Sequence, residues 1–429
     1  MFLAQTHRIA LISVDGDPAA EIGQEEAGGQ NVYVRQVGET LAKQGWQVDM
    51  FTRLSHPDQE AIVQHSPNCR TIRLKAGPLA FMSRDELFDH LPEFVKEFQA
   101  FQKEKGITYS LVHTNYWLSS WVGMKLKRHQ PLFQVHTYHS LGAVKYRTVD
   151  NIPPIATKRL AIEKTCLETV DCVVATSPQE VDHMRSLVSS HGEIEMIPCG
   201  TDIQRFGSVD RTTARQTLGI APETKVLLYV GRFDKRKGIE TLVRAVAQSS
   251  LRGQTDLKLI IGGGSCPGRS DGIERDRIEA IVAELGLSDI TVFPGRLDQT
   301  VLPTYYAAAD ICVVPSHYEP FGLVPIEAMA CRTPVVASDV GGLQFTVVPE
   351  VTGLLVPPKD DAAFAKAIDR ILSDPLWRDQ LGQTGRHRVE IAFSWESVAA
   401  RLGNLYATLL SQPVPAPTKP VKEPQEVAA

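Results

Sequence analysis

Short apolar, β-branched runs alternate with helical patterns along most of the chain, and this alternation limits the fold more than any other feature. Runs such as RIALIS at 8–13 and ICVV at 311–314 are apolar on both faces, which is typical of strands buried inside a parallel sheet. Helical periods lie between such runs, for example at 32–44, 86–104 and 157–168. The repeated strand–helix–strand order predicts an α/β fold with a doubly wound sheet.

This alternation occurs twice. The first set of strand candidates lies at 8–13, 47–52, 71–76, 110–114, 132–137, 172–175 and 195–197, and the second at 226–231, 257–262, 291–293, 311–314 and 335–337. The two sets are separated by a polar stretch within 198–222. A chain of 429 residues also exceeds what one hydrophobic core usually covers. We therefore expect two Rossmann-like domains, at 1–205 and 206–395, with a ligand cleft between them.

The last part of the chain is predicted to be helical and then disordered. Helical patterns run from 361 to about 410, with breaks near Pro375 and at Phe393 and Ser394. We expect a helix at 396–412 that packs back on the N-terminal domain. The segment 413–429 is rich in proline and polar residues, a composition that buries too little apolar surface to fold.

Composition argues against several classes of protein. The net charge of -5 gives no electrostatic reason to expect binding to nucleic acid or to an anionic membrane surface. The seven cysteines are scattered without a C-x-x-C pair, so we expect neither a disulfide framework nor a zinc site. The N-terminal residues lack a signal-peptide pattern, and no apolar run reaches membrane-spanning length. These features predict a cytoplasmic location.

The loop after the first predicted strand is rich in glycine. Ligands of open parallel sheets bind at the carboxyl ends of strands, where the strand order reverses. The loop contains AGGQN at 27–31 and opens a helix, so its backbone could approach a ligand and its N–H groups could attract an anion. It lacks the G-x-G-x-x-G pattern of nicotinamide-cofactor sites. A plain glycine-rich connection is the alternative.

The loop after the second domain's first strand is strongly basic. Its sequence, GRFDKRKG at 231–238, holds four cations among eight residues. Arginine offers a planar fork of donors and lysine a mobile point charge, so this loop suits a diphosphate. A solvated basic turn is the alternative interpretation.

A third segment, SHYEPFGLVPIEAMA at 316–330, contains two glutamates. Glu319 follows a predicted strand, and Glu327 lies inside a predicted helix at 322–330. A carboxylate can accept hydrogen bonds from two neighbouring sugar hydroxyls. Either glutamate could instead serve a helix dipole or a salt bridge. A second glycine-rich loop, DVGG at 339–342, lies further along the chain.

These motifs resemble those of the retaining glycosyltransferases of family 4, which have the two-domain GT-B fold. The resemblance extends to about residue 410 and rests on the E-x7-E pair, the G-R-x-x-x-x-K-G loop, the A-G-G-x-N-V-Y-V loop and the glycines at 341–342. Within the family, the chain resembles the compact enzymes that transfer glucose to fructose 6-phosphate. Enzymes that transfer N-acetylglucosamine to inositol phosphate are the alternative. Sucrose synthases resemble this core too, but they carry a large N-terminal extension.

The resemblance implies roles on the donor side. Arg232 and Lys237 match the cations that hold the donor diphosphate, Glu327 matches the acid that binds the ribose, and Glu319 matches the acid near the hydroxyls of the transferred sugar. His139 matches the histidine beside the anomeric carbon, although a hydrogen-bonded core histidine is the alternative. The implied catalytic residues are His139, Arg232, Lys237 and Glu319, and the implied donor-binding residues are Gly29, Arg232, Lys237, Glu319, Phe321, Gly322, Leu323 and Glu327.

The resemblance also implies an acceptor site in the first domain. Its residues would be Gly29, Gln30, Arg84, Tyr116, Ser140, Lys145, Lys158 and Arg159. Cations and hydroxyls that converge on one point hold a phosphate well, whereas each cation alone is more often a solvated surface charge. The GGQN form of the loop matches the relatives that use fructose 6-phosphate. The run RLAIEK at 159–164 departs from the RIEAEE-like run of plant relatives.

The implied reaction is retaining transfer of glucose from UDP-glucose, or from ADP- or GDP-glucose, to fructose 6-phosphate, giving sucrose 6-phosphate. Two fixed cations can neutralise the departing diphosphate, so no metal is required and Mg²⁺ would at most stimulate the reaction. The product implies a functional link to a separate sucrose-phosphate phosphatase. Two other classes stay open at this point. One is a two-lobed binding protein without chemistry, and the other is a dinucleotide-dependent oxidoreductase, which the missing glycine pattern disfavours.

Overall fold

The computed structural model describes residues 7–20, 29–147, 151–253, 256–319 and 321–417. The chain divides into two compact units: the first is Met1–Thr176, Glu180–Ile197 and Ala399–Ala429, and the second is Ser177–Gln179 and Pro198–Val398. The division therefore falls after Ile197, whereas the sequence suggested residue 205. Most of the segment expected to be disordered, from 418 onward, lies outside the described residues.

The first unit is built around one sheet. Up to residue 197 its elements are β1 (Arg8–Ile12), α1 (Gly29–Lys43), β2 (Gln47–Arg53), β3 (Ile62–Ser66), β4 (Cys69–Leu74), α2 (Arg84–Leu87), α3 (Leu91–Lys105), β5 (Leu111–Asn115), α4 (Tyr116–His129), β6 (Phe133–Thr137), α5 (Gly142–Lys145), α6 (Ala156–Thr169), β7 (Cys172–Ala175), α7 (Pro178–His183) and β8 (Ile194–Met196). Their order in the sheet is β3-β4-β2-β1-β5-β6-β7-β8. β3 is antiparallel to β4, and the other neighbouring strands are parallel.

The strand order of this sheet reverses beside β1, whose neighbours are β2 and β5. The carboxyl ends of parallel strands share one edge, and ligands of doubly wound sheets bind at such a reversal. The segments that leave this edge are 13–17 after β1, 116 onward after β5, and 138–141 after β6. The topology thus brings three segments of distant sequence together.

The second unit contains a second sheet. Its elements are α8 (Arg211–Leu218), β9 (Lys225–Val230), α9 (Ile239–Gln248), β10 (Leu257–Gly262), α10 (Ser270–Glu284), β11 (Thr291–Gly295), α11 (Leu302–Ala308), β12 (Ile311–Val314), α12 (Leu323–Ala330), β13 (Val335–Ser338), α13 (Leu343–Thr346), β14 (Gly353–Val356), α14 (Asp361–Ser373) and α15 (Pro375–Ala392), followed by α16 (Trp395–Leu410). The parallel order is β11-β10-β9-β12-β13-β14. Its reversal lies between β9 and β12, which places the loop 231–238 beside the described residues 315–319 that follow β12.

Both faces of this second sheet are buried, as the apolar runs predict. Leu227 and Tyr229 of β9 pack with α9 and α14 on one face. Val226 and Leu228, which alternate with them, pack with α11 and α12 on the other face. Side chains of a strand point alternately to opposite faces, so a continuous apolar run is what a sheet covered on both sides requires. The predicted fold class is confirmed.

Two strands were not predicted. The edge strand β3 (IVQHS) is largely exposed or half-buried, so it lacks the apolar run by which the other strands were identified. The short strand β14 (GLLV) at the opposite end of the chain begins with glycine, which weakens a strand signal. The predicted helix breaks are confirmed, because α14 ends before Pro375 and α15 ends just before Phe393.

The C-terminal part of α16 belongs to the first unit. Tyr406 is fully buried there, and its hydroxyl lies 2.5 Å from Nδ1 of His113 on β5. Its ring also meets the edge of Trp46 at a centroid distance of 5.8 Å. These contacts connect the end of the chain to the centre of the first sheet. Within the described residues, every helix is too short or too polar to cross a lipid bilayer.

A buried carboxylate connects three elements of the second unit. Asp310 precedes β12 and is fully buried. It accepts hydrogen bonds from Arg215 of α8 at 2.8 Å, from Arg378 of α15 at 2.6 Å and from the Val226 N–H at 2.7 Å, and it also pairs with Arg211. Buried charges persist in proteins only when they are paired and hydrogen-bonded, so this cluster joins the flanking helices to the sheet.

Candidate active site

The loop after β9 forms a short, basic 3₁₀ turn at Lys235–Lys237. Asp234 caps the turn by accepting a hydrogen bond from the Arg236 N–H at 2.9 Å. The Asp234 carboxylate also binds the Arg236 guanidinium at 2.6 Å, and this contact lowers the pKa of Asp234 to about 2. Arg236 is therefore paired within the loop, and its contacts with Asp234 hold the turn in a fixed shape.

Lys237 is paired across the point where the strand order reverses. Its Nζ lies 2.6 Å from Oε2 of Glu319, which follows β12. Arg232, from the same loop as Lys237, has a side chain that is 77% exposed and lies only 4.0 Å from Asp234. The structure thus brings Lys237 and Glu319 into direct contact, a pairing that the sequence did not predict, and leaves the Arg232 guanidinium at the surface.

The second glycine-rich loop holds the backbone of Glu319. The N–H of Gly342 donates to the Glu319 carbonyl at 2.9 Å. Gly341 has a φ of 57°, and a Cβ at this position would lie 2.2 Å from the same carbonyl oxygen. Only glycine allows that close approach together with a left-handed backbone. The paired glycines are therefore needed to position Glu319.

The segment after Glu319 leads into α12. Gly322, with a φ of 95°, stands at the N-cap of this helix, and Leu323 is its first residue. Phe321 is buried, with its ring 6.0 Å from that of Phe393. The buried Phe321 side chain anchors the segment between Glu319 and α12. The structure therefore brings Phe321, Gly322 and Leu323 close to Glu319.

Glu327 lies further along α12 in an apolar setting. Its Oε2 accepts a hydrogen bond from the Tyr306 hydroxyl at 3.0 Å. Burial raises the pKa of Glu327 to about 7, against the opposing effects of the Tyr306 hydrogen bond and the positive charge of Arg205. A carboxyl group with this pKa changes its charge near neutral pH and binds hydroxyl donors best when ionised.

In the first unit, two guanidinium groups lie near one tyrosine ring. The carbon Cζ of Arg84 and that of Arg159 are each 5.0 Å from the ring centroid of Tyr116. Arg159 donates to the Tyr116 hydroxyl at 3.0 Å and to the Ser140 carbonyl at 2.5 Å. The structure therefore brings together Arg84, Tyr116, Ser140 and Arg159, which are far apart in sequence.

Arg159 is not a solvated surface charge. It is only 1% exposed and donates from Nε to Glu163 at 2.7 Å. Glu163 also accepts from the Gly142 N–H at 2.9 Å, which fixes the start of α5. That short helix ends at Lys145. One buried ion pair thus orients Arg159 and supports the helix that carries Lys145.

An acid that the sequence interpretation missed organises this cluster. Asp15, after β1, accepts from Arg84 Nε at 2.9 Å and from Gln30 Nε2 at 3.2 Å. Gln30 also donates to the Ser13 hydroxyl at 3.0 Å. The signal available in the sequence was D-G-D at 15–17, directly after the first strand. Gly29 begins α1, whereas the two residues before it lie outside the described residues.

Lys158 lies at the border of the cluster. Its Nζ is 4.6 Å from the ring centroid of Phe88, a cation–π geometry. Phe88 stacks on Trp117 at 5.6 Å, next to Tyr116 in the chain. Lys158 therefore approaches the cluster through an aromatic contact, unlike the hydrogen-bonded Arg159.

His139 follows β6 in a left-handed backbone conformation, with a φ of 59°. Its Nε2 is 2.9 Å from Oδ1 of Asn115, the last residue of β5. Its ring meets that of Tyr33 edge-on, at a centroid distance of 4.9 Å. Burial lowers the pKa of His139 to about 3, so the ring is neutral at physiological pH. Asn115 is a second residue that the sequence interpretation did not include.

Comparison with protein families supports one assignment for both halves of the chain. Residues 27–205 match the family described as Glycosyltransferase Family 4. Residues 210–388 match the family described as Glycosyl transferases group 1. The two matches together include the residues of the site described above except Ser13 and Asp15, which follow β1, and Phe393.

Individual relatives cover nearly the whole chain. A solved structure of sucrose-phosphate synthase from Thermosynechococcus elongatus is 54% identical, covers 94% of this chain and 99% of its own, and superposes with a TM-score of 0.83. The D-inositol 3-phosphate glycosyltransferase of Corynebacterium jeikeium is 37% identical over 409 residues, which are 94% of this chain and 97% of that protein. HepE of Anabaena, solved with UDP and glucose, is 19% identical, covers 94% of this chain and 99% of its own, and has a TM-score of 0.71; that similarity shows the fold alone.

Proposed function

This chain belongs to the family 4 glycosyltransferases, retaining enzymes with the GT-B fold, and we propose that it transfers glucose from UDP-glucose to fructose 6-phosphate, giving sucrose 6-phosphate. Membership of this family makes the chain a transferase. The oxidoreductase and the non-catalytic binding protein considered from the sequence are therefore set aside.

The observation that carries the proposal is the pair of guanidinium groups at Tyr116. Arg159 is buried and oriented by Glu163, whereas the Arg84 side chain is held by Asp15 and is still 58% exposed. Guanidinium forks bind phosphate oxygens with two parallel hydrogen bonds. Arg159, whose three nitrogens donate to Glu163, Tyr116 and Ser140, contributes fixed positive charge beside the ring, and the accessible guanidinium of Arg84 can contact a phosphate. This arrangement suits a phosphorylated acceptor better than a neutral sugar.

Fructose 6-phosphate is the proposed acceptor because of the two named relatives. Both names contain a phosphate, on inositol in one and on sucrose in the other. The sucrose-phosphate synthase is 54% identical to this chain, against 37% for the inositol phosphate enzyme. Transfer of N-acetylglucosamine to inositol phosphate is the second candidate, and relatives named D-inositol 3-phosphate glycosyltransferase support its acceptor. ADP- and GDP-glucose are the alternative donors, and free fructose is the acceptor that a sucrose synthase would use.

In the proposed reaction, the second unit binds the donor. Lys237 and Arg232 hold the diphosphate, and the ionised Glu327 accepts hydrogen bonds from the ribose hydroxyls. The bond from the anomeric carbon to the diphosphate oxygen breaks as the acceptor hydroxyl oxygen bonds to that carbon on the same face. The acceptor proton passes to the departing diphosphate, and UDP is released. Fixed positive charge stabilises the negative charge that gathers on the leaving group.

The acceptor prediction is tested by incubating the purified protein with labelled UDP-glucose or labelled UDP-N-acetylglucosamine and one acceptor at a time. We expect sucrose 6-phosphate and UDP with fructose 6-phosphate, and little product with fructose or inositol 3-phosphate. Product with UDP-N-acetylglucosamine and inositol 3-phosphate, but none with fructose 6-phosphate, would identify the second candidate.

Arg84→Ala should raise the KM for fructose 6-phosphate about ten- to a hundredfold, because a hydrogen bond to a charged group is lost. The exposed Lys105→Ala serves as the control.

The affinity for UDP is predicted to depend on pH through Glu327. In the ligand-free protein this carboxyl has a pKa of about 7, so the fraction that is ionised increases about tenfold between about pH 6 and about pH 8. The dissociation constant of UDP, measured by calorimetry, should fall by a similar factor, beyond the effect of the ligand's own titration. Glu327→Gln should lose that additional dependence, whereas the exposed Glu284→Gln should keep it. Equal pH profiles for wild type and Glu327→Gln would refute the ribose role.

The same carboxyl affects stability with a defined sign. Its folded pKa of about 7 lies above the ordinary value of 4.5, so the folded state favours the protonated form. The stabilisation is complete below pH 4.5 and is lost as the pH rises to about 7. Without ligand, the unfolding temperature of Glu327→Gln minus that of wild type should therefore increase as the pH rises across this interval.

A further inference from the structure

We propose that Asn115 is a positioning residue that holds His139 in one neutral tautomer, with the proton on Nε2 and the lone pair on Nδ1. In that state His139 offers the substrate a hydrogen-bond acceptor, so the group it contacts is a hydroxyl of a sugar. The contact with a sugar rests on the proposed function, whereas the tautomer rests on the geometry of the first unit alone.

The orientation of the Asn115 amide is determined by its surroundings. Its Nδ2 faces two backbone carbonyls, that of His113 at 3.3 Å and that of Ile12 at 3.4 Å. Both carbonyls are acceptors, so the NH₂ group must point to them and the oxygen Oδ1 must point to His139. That oxygen lies 2.9 Å from Nε2. Asn115 is only 1% exposed, and a buried acceptor requires a donor, so Nε2 carries the proton.

The second nitrogen of His139 remains unprotonated. The ionisable groups that face this ring include the buried His113 and His136, whose own pKa values are lowered by burial and by the charge that His139 would carry. Tyr33 covers one side edge-on. A positive charge in this setting would be poorly solvated and would be repelled if either neighbour were protonated. Burial accordingly lowers the pKa of His139 to about 3.

Strand register places the two residues together. Asn115 ends β5 and is aligned with Thr137 at the end of β6. His139 follows Thr137 by two residues and has a φ of 59°. Left-handed conformations of non-glycine residues cluster at functional sites. We infer that this conformation directs the ring toward Asn115.

The fixed tautomer has a consequence for specificity. An unprotonated Nδ1 accepts a hydrogen bond but cannot donate one. A phosphate oxygen or a carbonyl oxygen, both acceptors, would meet a second lone pair, whereas a hydroxyl can donate to it. His139 should therefore contact a sugar hydroxyl, and the phosphate groups of either substrate should be held elsewhere by the arginine and lysine side chains.

Nuclear magnetic resonance of ¹⁵N-histidine-labelled protein tests the proposal without any assay of activity. The His139 signals, identified by their loss in His139→Gln, should show the Nε2-protonated tautomer across the neutral range. In Asn115→Asp, a carboxylate beside the ring should raise the pKa of His139 by about one to three pH units. The exposed Asn404→Asp makes the same chemical change elsewhere in the first unit and should leave His139 unaffected. In Asn115→Leu, which lacks both polar groups, a mixture of tautomers is expected.

Kinetics provide the second measurement. Once His139 is protonated, Nδ1 becomes a donor. The ratio of kcat/KM of Asn115→Asp to that of wild type should therefore fall as the pH decreases through the raised pKa, because the protonation of Glu327 affects both proteins equally. An Nδ1-protonated ring in wild type, or an unshifted His139 in Asn115→Asp, would overturn the proposal. If the tautomer is as expected but no sugar phosphate is glycosylated, the proposed function fails and the positioning role of Asn115 stands.

Discussion

Replacing Lys237 with alanine is expected to lower kcat about 10²–10³-fold, the usual cost of removing one group that stabilises a developing negative charge. The ammonium group of Lys237 is held at the point where the strand order reverses by Glu319, at 2.6 Å. This fixed charge would act most strongly on the diphosphate as it departs. The KM for the donor should change less than kcat, because the interaction strengthens in the transition state.

The measurement is steady-state release of UDP with saturating fructose 6-phosphate. Lys366→Ala, which removes an exposed lysine from α14 in the same unit, is the control and should keep the wild-type kcat. Lys237→Arg should restore little activity, because a planar guanidinium cannot reproduce the contact of a compact ammonium group with Glu319. Unchanged turnover in Lys237→Ala would contradict the leaving-group role.

Replacing Asp310 with alanine is expected to lower the free energy of unfolding by about 3–5 kcal/mol, the range for breaking a buried ion pair from one side. The variant leaves Arg215 and Arg378 without their buried carboxylate partner, and it leaves the Val226 N–H without an acceptor. The two guanidinium groups would then repel each other with little solvent between them. Urea unfolding monitored by fluorescence measures the change, with the transition assigned to the second unit.

A matched control uses the same arginine. Arg378 also pairs with Asp379, whose side chain is 63% exposed. Exposed ion pairs contribute about 0–1 kcal/mol, so Asp379→Ala should change stability by no more than that. Similar losses in Asp310→Ala and Asp379→Ala would mean that burial does not determine the strength of this network.

Much of the fold could be predicted because the second sheet is parallel and covered on both faces, and the first sheet is parallel apart from its edge strand β3. Burial on two sides requires continuous apolar runs, and such runs are visible in a single sequence. β3 was missed because it lies at the edge of its sheet, where one face meets solvent and the apolar run disappears. The start of the second unit after Ile197 was also missed, since domain division depends on which residues contact each other and not on composition.

The candidate site was predictable only in part, for a related reason. Arg84, Tyr116, Ser140 and Arg159 were identified by resemblance, but their partners Asp15 and Glu163 were not. An acid that orients an arginine has no sequence signal of its own, because its role depends on a hydrogen bond across the fold. The same holds for Asn115, which would pass for an ordinary residue at the end of a strand.

The sequence by itself determined the alternation of strands and helices and the membership of a family of sugar transferases. It also determined the basic loop at 231–238 and the segment with two glutamates at 316–330 in the second unit. These properties depend on residue type and on spacing along the chain, which local physics translates directly into helices, strands and loops. Only the tertiary structure decided which polar side chains meet. Lys237 contacts Glu319, Arg84 contacts Asp15 and His139 contacts Asn115. These contacts form because the carboxyl ends of parallel strands lie at one edge of a sheet. Residues that meet at this edge are far apart along the chain, so their separation in sequence does not indicate that they are close in space.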